Sequence, residues 1–215
     1  MGANIELTDN RIILIQGVDE MKGTSYSIIP DRIETLTYII AGALNAERLL
    51  IKDINISHIQ NVLDSLQKLN IAVEIKNNEI SVTKTSIDEG IELETEEFPG
   101  FPTDLQAQMM VLMSLGKKKS IIRENIFENR FMHVPELNRM GANIEISGKK
   151  AIIPPCDNFL GAQVMATDLR ASVSLVLAGL VANGETTLNR IYHLDRGYEN
   201  IEKKLQACGA DIKRI

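Results

Sequence analysis

Strongly apolar stretches alternate with amphipathic ones along the chain, and the alternation recurs three times. TLTYIIAGAL, MMVLMSL and ASVSLVLAGLVA are apolar or small around nearly their whole circumference. That pattern predicts helices buried on every side. Each lies in a segment with a polar start: PDRIETLTYIIAGAL from Pro30, PTDLQAQMMVLMSLG from Pro102 and ATDLRASVSLVLAGL from Ala166. A short β-rich run follows each, namely RLLIKDI, KSIIREN and ETTLNRI. An amphipathic helix comes next (SHIQNVLDSLQKLN, RFMHVPELNRMG, GYENIEKKLQACG), and then a closing strand (IAVEI, ANIEI, ADIKRI).

The spacing is even: Asp31 to Asn70 is 39 positions, Asp104 to Gly141 is 37, and Asp168 to Gly209 is 41. Self-similarity of this kind marks a repeat architecture. The expected fold class is α/β: three β-α-β-α-β-type units, at about 24–85, 98–155 and 161–215, within a domain spanning 21–215. Hairpin strands such as KNNEISV and KKAIIPP link them, and the sheets lie outside the buried helices. Met1–Leu7, MGANIEL, nearly repeats Met140–Ile146, MGANIEI. Residues 1–20 therefore read as the closing strands of a preceding, truncated repeat. If the three buried helices run parallel, their N-termini converge, and unpaired N–H groups together with the helix dipoles make that point an anion site.

Composition narrows the partners. Of the residues, 44% are hydrophobic but only 4% aromatic, so Leu, Ile, Val, Ala and Met must fill the core. A net charge of -6 repels phosphate backbones and anionic lipid, which argues against nucleic acid or membrane as the main partner. The two cysteines, Cys156 and Cys208, have no CxxC spacing and imply neither a disulfide framework nor a zinc site. His58, His133 and His193 have no metal-like spacing, so no metal is expected. No signal peptide opens the sequence and no apolar run reaches membrane-spanning length, which points to a cytoplasmic protein. Gly-rich phosphate loops are absent.

The helix starts carry the candidate chemistry: Asp31-Arg32 with Glu34, Thr103-Asp104, and Thr167-Asp168 with Arg170. Thr and Asp at such positions commonly cap the first-turn amides. Arg32 and Arg170 sit at the unfavourable end of a dipole, unless something anionic lies between them. Arg130 and Arg196 stand near the starts of the second helices, where a solvated surface role competes with binding. Asp104, Arg130, Asp168, Arg170 and Arg196 together read as a polar cluster. Within it, Arg would grip phosphate or carboxylate and Asp would orient or deprotonate a hydroxyl.

Four stretches carry a resemblance: FPTDLQAQ at Phe101–Gln108, FENRFMHVPELNRMGA at Phe127–Ala142, GAQVMATDLRAS at Gly161–Ser172 and YHLDRGYENIE at Tyr192–Glu202. With IIPDRIETLTYIIAGA from Ile28, they resemble the C-terminal half of the UDP-N-acetylglucosamine enolpyruvyl transferase (1-carboxyvinyltransferase) family. The resemblance implies an inside-out α/β barrel domain with three repeats. It also implies transfer of the enolpyruvyl group of phosphoenolpyruvate to the 3-hydroxyl of UDP-N-acetylglucosamine in peptidoglycan synthesis, through a tetrahedral ketal and with no cofactor. Carried over by motif, Asp104 is the general base, Ile126 and Phe127 contact the UDP-sugar, and Arg196 binds phosphoenolpyruvate. Arg130, Asp168 and Arg170 complete the cleft, with Asp31 and Glu34 near a hinge. Neither Cys156 nor Cys208 matches the family's mobile-loop cysteine, and the family's N-terminal lysine motif is missing. The isolated chain is therefore expected to be inactive and open to self-association. Two alternatives stay open: a fragment of the related shikimate 3-phosphate enolpyruvyl transferase, or a non-catalytic binding or structural remnant.

Overall fold

The first buried helix, α1 (Arg32–Asn45), starts where the sequence places a cap: Asp31 accepts from the amides of Ile33 at 2.8 Å and Glu34 at 3.2 Å. The structure is a computed structural model and describes residues 1–8 and 12–215. Its strands are β1 (Asn4–Leu7), β2 (Ile13–Gln16), β3 (Leu49–Ile51), β4 (Val73–Lys76), β5 (Glu79–Val82), β6 (Glu92–Glu94), β7 (Ser120–Arg123), β8 (Glu145–Ser147), β9 (Lys150–Ile153), β10 (Gln163–Met165) and β11 (Thr187–Asn189). Beyond α1, the helices are α2 (Gln60–Lys68), α3 (Gln106–Ser114), α4 (Val134–Arg139), α5 (Ser172–Val181), α6 (Tyr192–Asp195) and α7 (Ile201–Ala207).

Helices α1, α3 and α5 pack against one another in the interior. All nine residues of α3 are buried, as its lack of a polar face demands. Burying Gln108 there requires a partner, and its Nε2 donates to the Tyr198 hydroxyl at 3.2 Å and the Asp104 carbonyl at 3.1 Å. Tyr198 also bonds Thr37 Oγ1 of α1 at 2.9 Å, so one polar knot ties all three units.

The sheets lie outside these helices, in the orders β3-β5-β4, β6-β7-β9-β8, β10-β11 and β1-β2. In the first two units a hairpin (β4-β5, then β8-β9) lays its second strand antiparallel against the strand after the buried helix. Gly42 makes room for this in the first unit: a Cβ there would stand 2.4 Å from Val82 Cγ1.

The outer helices α2, α4 and α7 end alike. A residue with positive φ follows each (Asn70 +62°, Gly141 +97°, Gly209 +94°). The next amide then reaches back five residues, from Ile71 to Leu66, Ala142 to Leu137 and Ala210 to Leu205, at 3.0–3.1 Å. Three identical left-handed caps are the clearest structural mark of the repeat.

The structure departs from the sequence reading after the last cap. ADIKRI, expected to be a closing strand, forms none in Ala210–Ile215. A strand needs a partner ladder, and no strand among the described residues pairs with this segment.

Candidate active site

The start of the second unit is built around Glu124, at the end of β7. Its carboxylate is 1% exposed and accepts five hydrogen bonds. Thr95 Oγ1 and Thr103 Oγ1 donate at 2.8 Å, Gln106 Nε2 and the Ile126 amide at 2.9 Å, and the Phe127 amide at 3.0 Å. A buried charge is tolerable only when satisfied in this way. Its effect is to fix the backbone of Ile126-Phe127 and the side chain of Thr103 in one unit, leaving the Ile126 and Phe127 side chains exposed.

Next to Thr103 stands Asp104. Its Oδ1 pairs with Arg130 Nη2 at 2.7 Å, while Arg130 Nη1 donates to Thr103 Oγ1 at 3.0 Å. The guanidinium also lies 5.0 Å from the Phe127 ring centroid. No side chain caps α3 or the turn before it, so Asp104 does not serve as an N-cap. Its side chain is 40% exposed, and Oδ2 has no partner among the described residues.

The other two helix starts behave differently. Asp168 accepts from the amides of Arg170 at 2.7 Å and Ala171 at 2.5 Å, a capping arrangement, and Ser172 Oγ donates to its carbonyl. Arg170 crosses to the first unit, pairing with Asp31 at 2.9 Å, and donates to the Gly197 carbonyl at 3.0 Å. Burial alone would raise the Asp31 pKa, but the hydrogen bond and charge of Arg170, with the Ile33 and Glu34 amides, hold it below the ordinary carboxylate range. Burial works against the Arg170 charge as well, and Asp31 more than offsets it. The anion expected beside Arg170 is Asp31. Arg32 rests 5.3 Å from the Phe98 ring centroid.

Glu34 pairs with Lys204 of α7 at 2.7 Å. Arg196 is exposed and makes no ion pair among the described residues. Its loop is pressed close to the third helix start: a Cβ on Gly197 would lie 2.6 Å from the Leu169 carbonyl oxygen. Between the two starts lies the buried His133, whose Nε2 is 3.2 Å from Met110 Sδ. Desolvation lowers its pKa to about 4, with Asp168 and Arg130 both close enough to act on it.

The structure therefore gathers Asp104, Arg130, Ile126 and Phe127 on one wall and Asp31, Asp168, Arg170 and the Arg196 loop on another. Helix α1 touches both, meeting the turn before α3 and the body of α5. Sequence reasoning missed Glu124 and saw Thr103 only as part of a helix start, not as its partner. The signal available was an acidic residue ending the apolar run SIIRE, two positions before Ile126. His193 joins neither wall; it stacks on Tyr192 at 4.2 Å. Burial pushes the Cys156 thiol up in pKa, and Cys208 is exposed. Among the described residues no group of three His, Cys, Asp or Glu could hold a metal ion, and no helix is long and apolar enough to cross a membrane. Two cavities of about 460 Å³ each touch none of the site residues.

Buried helices inside, sheets outside and charged pairs at the helix starts mark an enolpyruvyl transferase-type domain. Residues 1–205 match the family of EPSP synthase (3-phosphoshikimate 1-carboxyvinyltransferase), and the chain belongs to that family. It is similar to the UDP-N-acetylglucosamine 1-carboxyvinyltransferases of Pelagibacter ubique (53% identity, all of this chain and 52% of that one) and Granulibacter bethesdensis (51%, all of this chain and 51% of that one). Among solved structures, the enolpyruvyl transferase NikO from Streptomyces tendae superposes with a TM-score of 0.89 at 30% identity, covering 99% of this chain and 51% of that one. An EPSP synthase from Acinetobacter baumannii shares the fold at a TM-score of 0.67 and 18% identity, covering 88% of this chain and 45% of that one. The chain spans about half the length of the curated relatives it matches.

Proposed function

We propose that the chain is the C-terminal half of a transferase that moves the enolpyruvyl group of phosphoenolpyruvate onto the 3-hydroxyl of UDP-N-acetylglucosamine, a step of peptidoglycan synthesis in the cytoplasm. The observation that carries this reading is Asp104. Of the three helix-start aspartates it alone caps no helix amide, and its Oδ2 has no partner among the described residues, beside a wall locked by Glu124. Sequence identity near 50% to carboxyvinyltransferases named for the UDP-sugar supports that acceptor over shikimate 3-phosphate, whose solved synthases are 18–20% identical.

Asp104 Oδ2 takes the proton of the 3-hydroxyl as its oxygen attacks C2 of phosphoenolpyruvate, and C3 gains a proton from a second acid. The resulting ketal loses phosphate as C3 gives up a proton, restoring the enol ether. Arg130 holds Asp104 in place through Oδ1, and Ile126 and Phe127 offer the UDP-sugar a fixed backbone edge with an apolar face. Arg130 and Arg170 already have carboxylate partners within the chain. Of the three arginines in the polar cluster, Arg196 alone has no carboxylate partner among the described residues, which suits it to offset phosphoenolpyruvate. Asp31 and Glu34 brace the edge of the cleft through Arg170 and Lys204. Residues 1–20 close a unit belonging to the other half of the enzyme.

The chain alone is expected not to turn over, because only one face of the cleft is present. Phosphate release from phosphoenolpyruvate with UDP-N-acetylglucosamine, measured with and without a separately expressed N-terminal half, tests both statements. Activity in the mixture, abolished by Asp104→Ala, is the expected result. Turnover by the 215-residue chain alone, or by an Asp104→Ala mixture at the wild-type rate, overturns it.

A further inference from the structure

Helix α3 carries a polar residue that its setting does not favour. Gln108 is fully buried on a helix without a polar face, and its Oε1 finds no hydrogen-bond partner among the described residues. An unpaired buried acceptor costs stability that an apolar side chain in the same place would not. What Gln108 supplies is reach. Its Nε2 donates to the Asp104 carbonyl at 3.1 Å and to the Tyr198 hydroxyl at 3.2 Å, joining the second helix start to the third unit.

The direction of these bonds is fixed by their protons. Thr37 Oγ1 lies 2.8 Å from the Ile33 carbonyl, which can only accept, so the single threonine proton is spent there. At the 2.9 Å contact between Thr37 Oγ1 and the Tyr198 hydroxyl, the tyrosine is therefore the donor. Its oxygen in turn accepts from Gln108, whose two amide protons go to Tyr198 and Asp104. A third contact, 3.4 Å to Thr37 Oγ1, shares one of them. Turning the amide over would set Oε1 against the Asp104 carbonyl oxygen, so its orientation is fixed as well. A line of donors thus runs from α3 through Tyr198 to α1, closed to water at every step.

The other end of Tyr198 holds the Arg196 loop. The Leu194 carbonyl accepts from the amides of both Gly197 and Tyr198 at 3.0 Å. Arg170 donates to the Gly197 carbonyl, and its guanidinium lies 5.4 Å from the Tyr198 ring centroid. We propose that Tyr198 is a positioning residue of the transferase: acting through Gln108, it fixes the Arg196 loop against the Asp104 backbone. It thereby sets the separation between the base and the phosphoenolpyruvate that Arg196 holds. This rests on the roles proposed above for Asp104 and Arg196.

Steady-state kinetics of the reconstituted transferase, formed from this chain and the N-terminal half, test it with Tyr198→Phe, Gln108→Leu and the double variant. Tyr198→Phe keeps the ring beside Arg170 and removes only the hydroxyl. It should lower kcat roughly tenfold to a hundredfold and raise KM for phosphoenolpyruvate. KM for UDP-N-acetylglucosamine should stay as it is, because Glu124 holds that wall separately. A loss of folded protein alone would scale kcat and move neither KM. The double variant should lose no more than the worse single one, since both changes break the same link. Without reference to turnover, Gln108→Leu should speed hydrogen exchange at the Gly197 and Tyr198 amides roughly tenfold and leave the β7 amides protected. Beside an active wild type, an unchanged kcat and KM in Tyr198→Phe, additive losses in the double variant, or unmoved exchange each overturn the inference. A wild-type mixture without turnover defeats the transferase reading itself, and takes the catalytic role of Tyr198 with it whatever the exchange shows.

Discussion

The starts of the second and third units carry the same residue at the same place and use it oppositely. Asp168 turns inward on its own helix, taking the amides of Arg170 and Ala171. Asp104 turns outward, held by Arg130 at one oxygen and open at the other. The difference originates outside the TD dipeptide, which the two starts share. At the second start, Glu124 occupies Thr103 and Gln106, and Arg130 arrives from beyond the Ile126-Phe127 corner to meet Asp104. At the third, Ser172 and the backbone close the cap locally. A helix-start aspartate is therefore a cap or a working carboxylate according to what the next strand brings beside it.

The sharpest way to break this comparison is to remove each carboxylate and measure two things. Asp104→Ala should cost the reconstituted transferase about 10²–10⁴ in turnover. The same change should alter the chain's urea-unfolding stability by about 1 kcal/mol or less, because the side chain is 40% exposed. Glu124→Gln goes further on stability. Replacing a buried acceptor of five bonds with a group that carries two N–H donors should cost about 3 kcal/mol by urea unfolding.

His133, between the two starts, supplies a pH signature. Its folded pKa, near 4, lies below its unfolded value of 6.5, so the unfolded chain binds the extra proton. Its contribution is full above the unfolded value and is lost as pH falls through the window down to 4, on the order of 3 kcal/mol. The stability difference between wild type and His133→Gln should change across that window and stay flat above it; a constant difference would refute this. The smallest effect belongs to the cap. Asp168→Ala should cost about 1 kcal/mol of stability. Equal losses of turnover for the Asp104 and Asp168 variants would erase the distinction drawn here.

Much of this was legible in the sequence because it depends on local pattern. The apolar circumference of MMVLMSL foretold a wholly buried α3, and residues Asn70, Gly141 and Gly209 end the outer helices where the repeat spacing put them. ADIKRI misled because its apolar pattern suits a strand, while a ladder requires a neighbour that sequence pattern alone does not supply. Glu124 was illegible for a related reason: its donors come from Thr95 to Phe127, and only the folded chain collects them around one carboxylate. The pairing of Arg170 with Asp31 spans 139 positions and leaves no mark in either segment.

Glu124 also sets the mechanics of the wall it anchors. One carboxylate clamps strand end, turn and helix start together, so the backbone at Ile126-Phe127 has no low-cost way to yield on its own. Fit to a ligand must come from the exposed Phe127 ring and from the Asp104 oxygen and Arg196 guanidinium, which have no charged partner among the described residues, soft side chains on a stiff frame. Affinity changes produced by substituting those three should therefore be nearly independent of one another, while a change at Glu124 should alter all of them together.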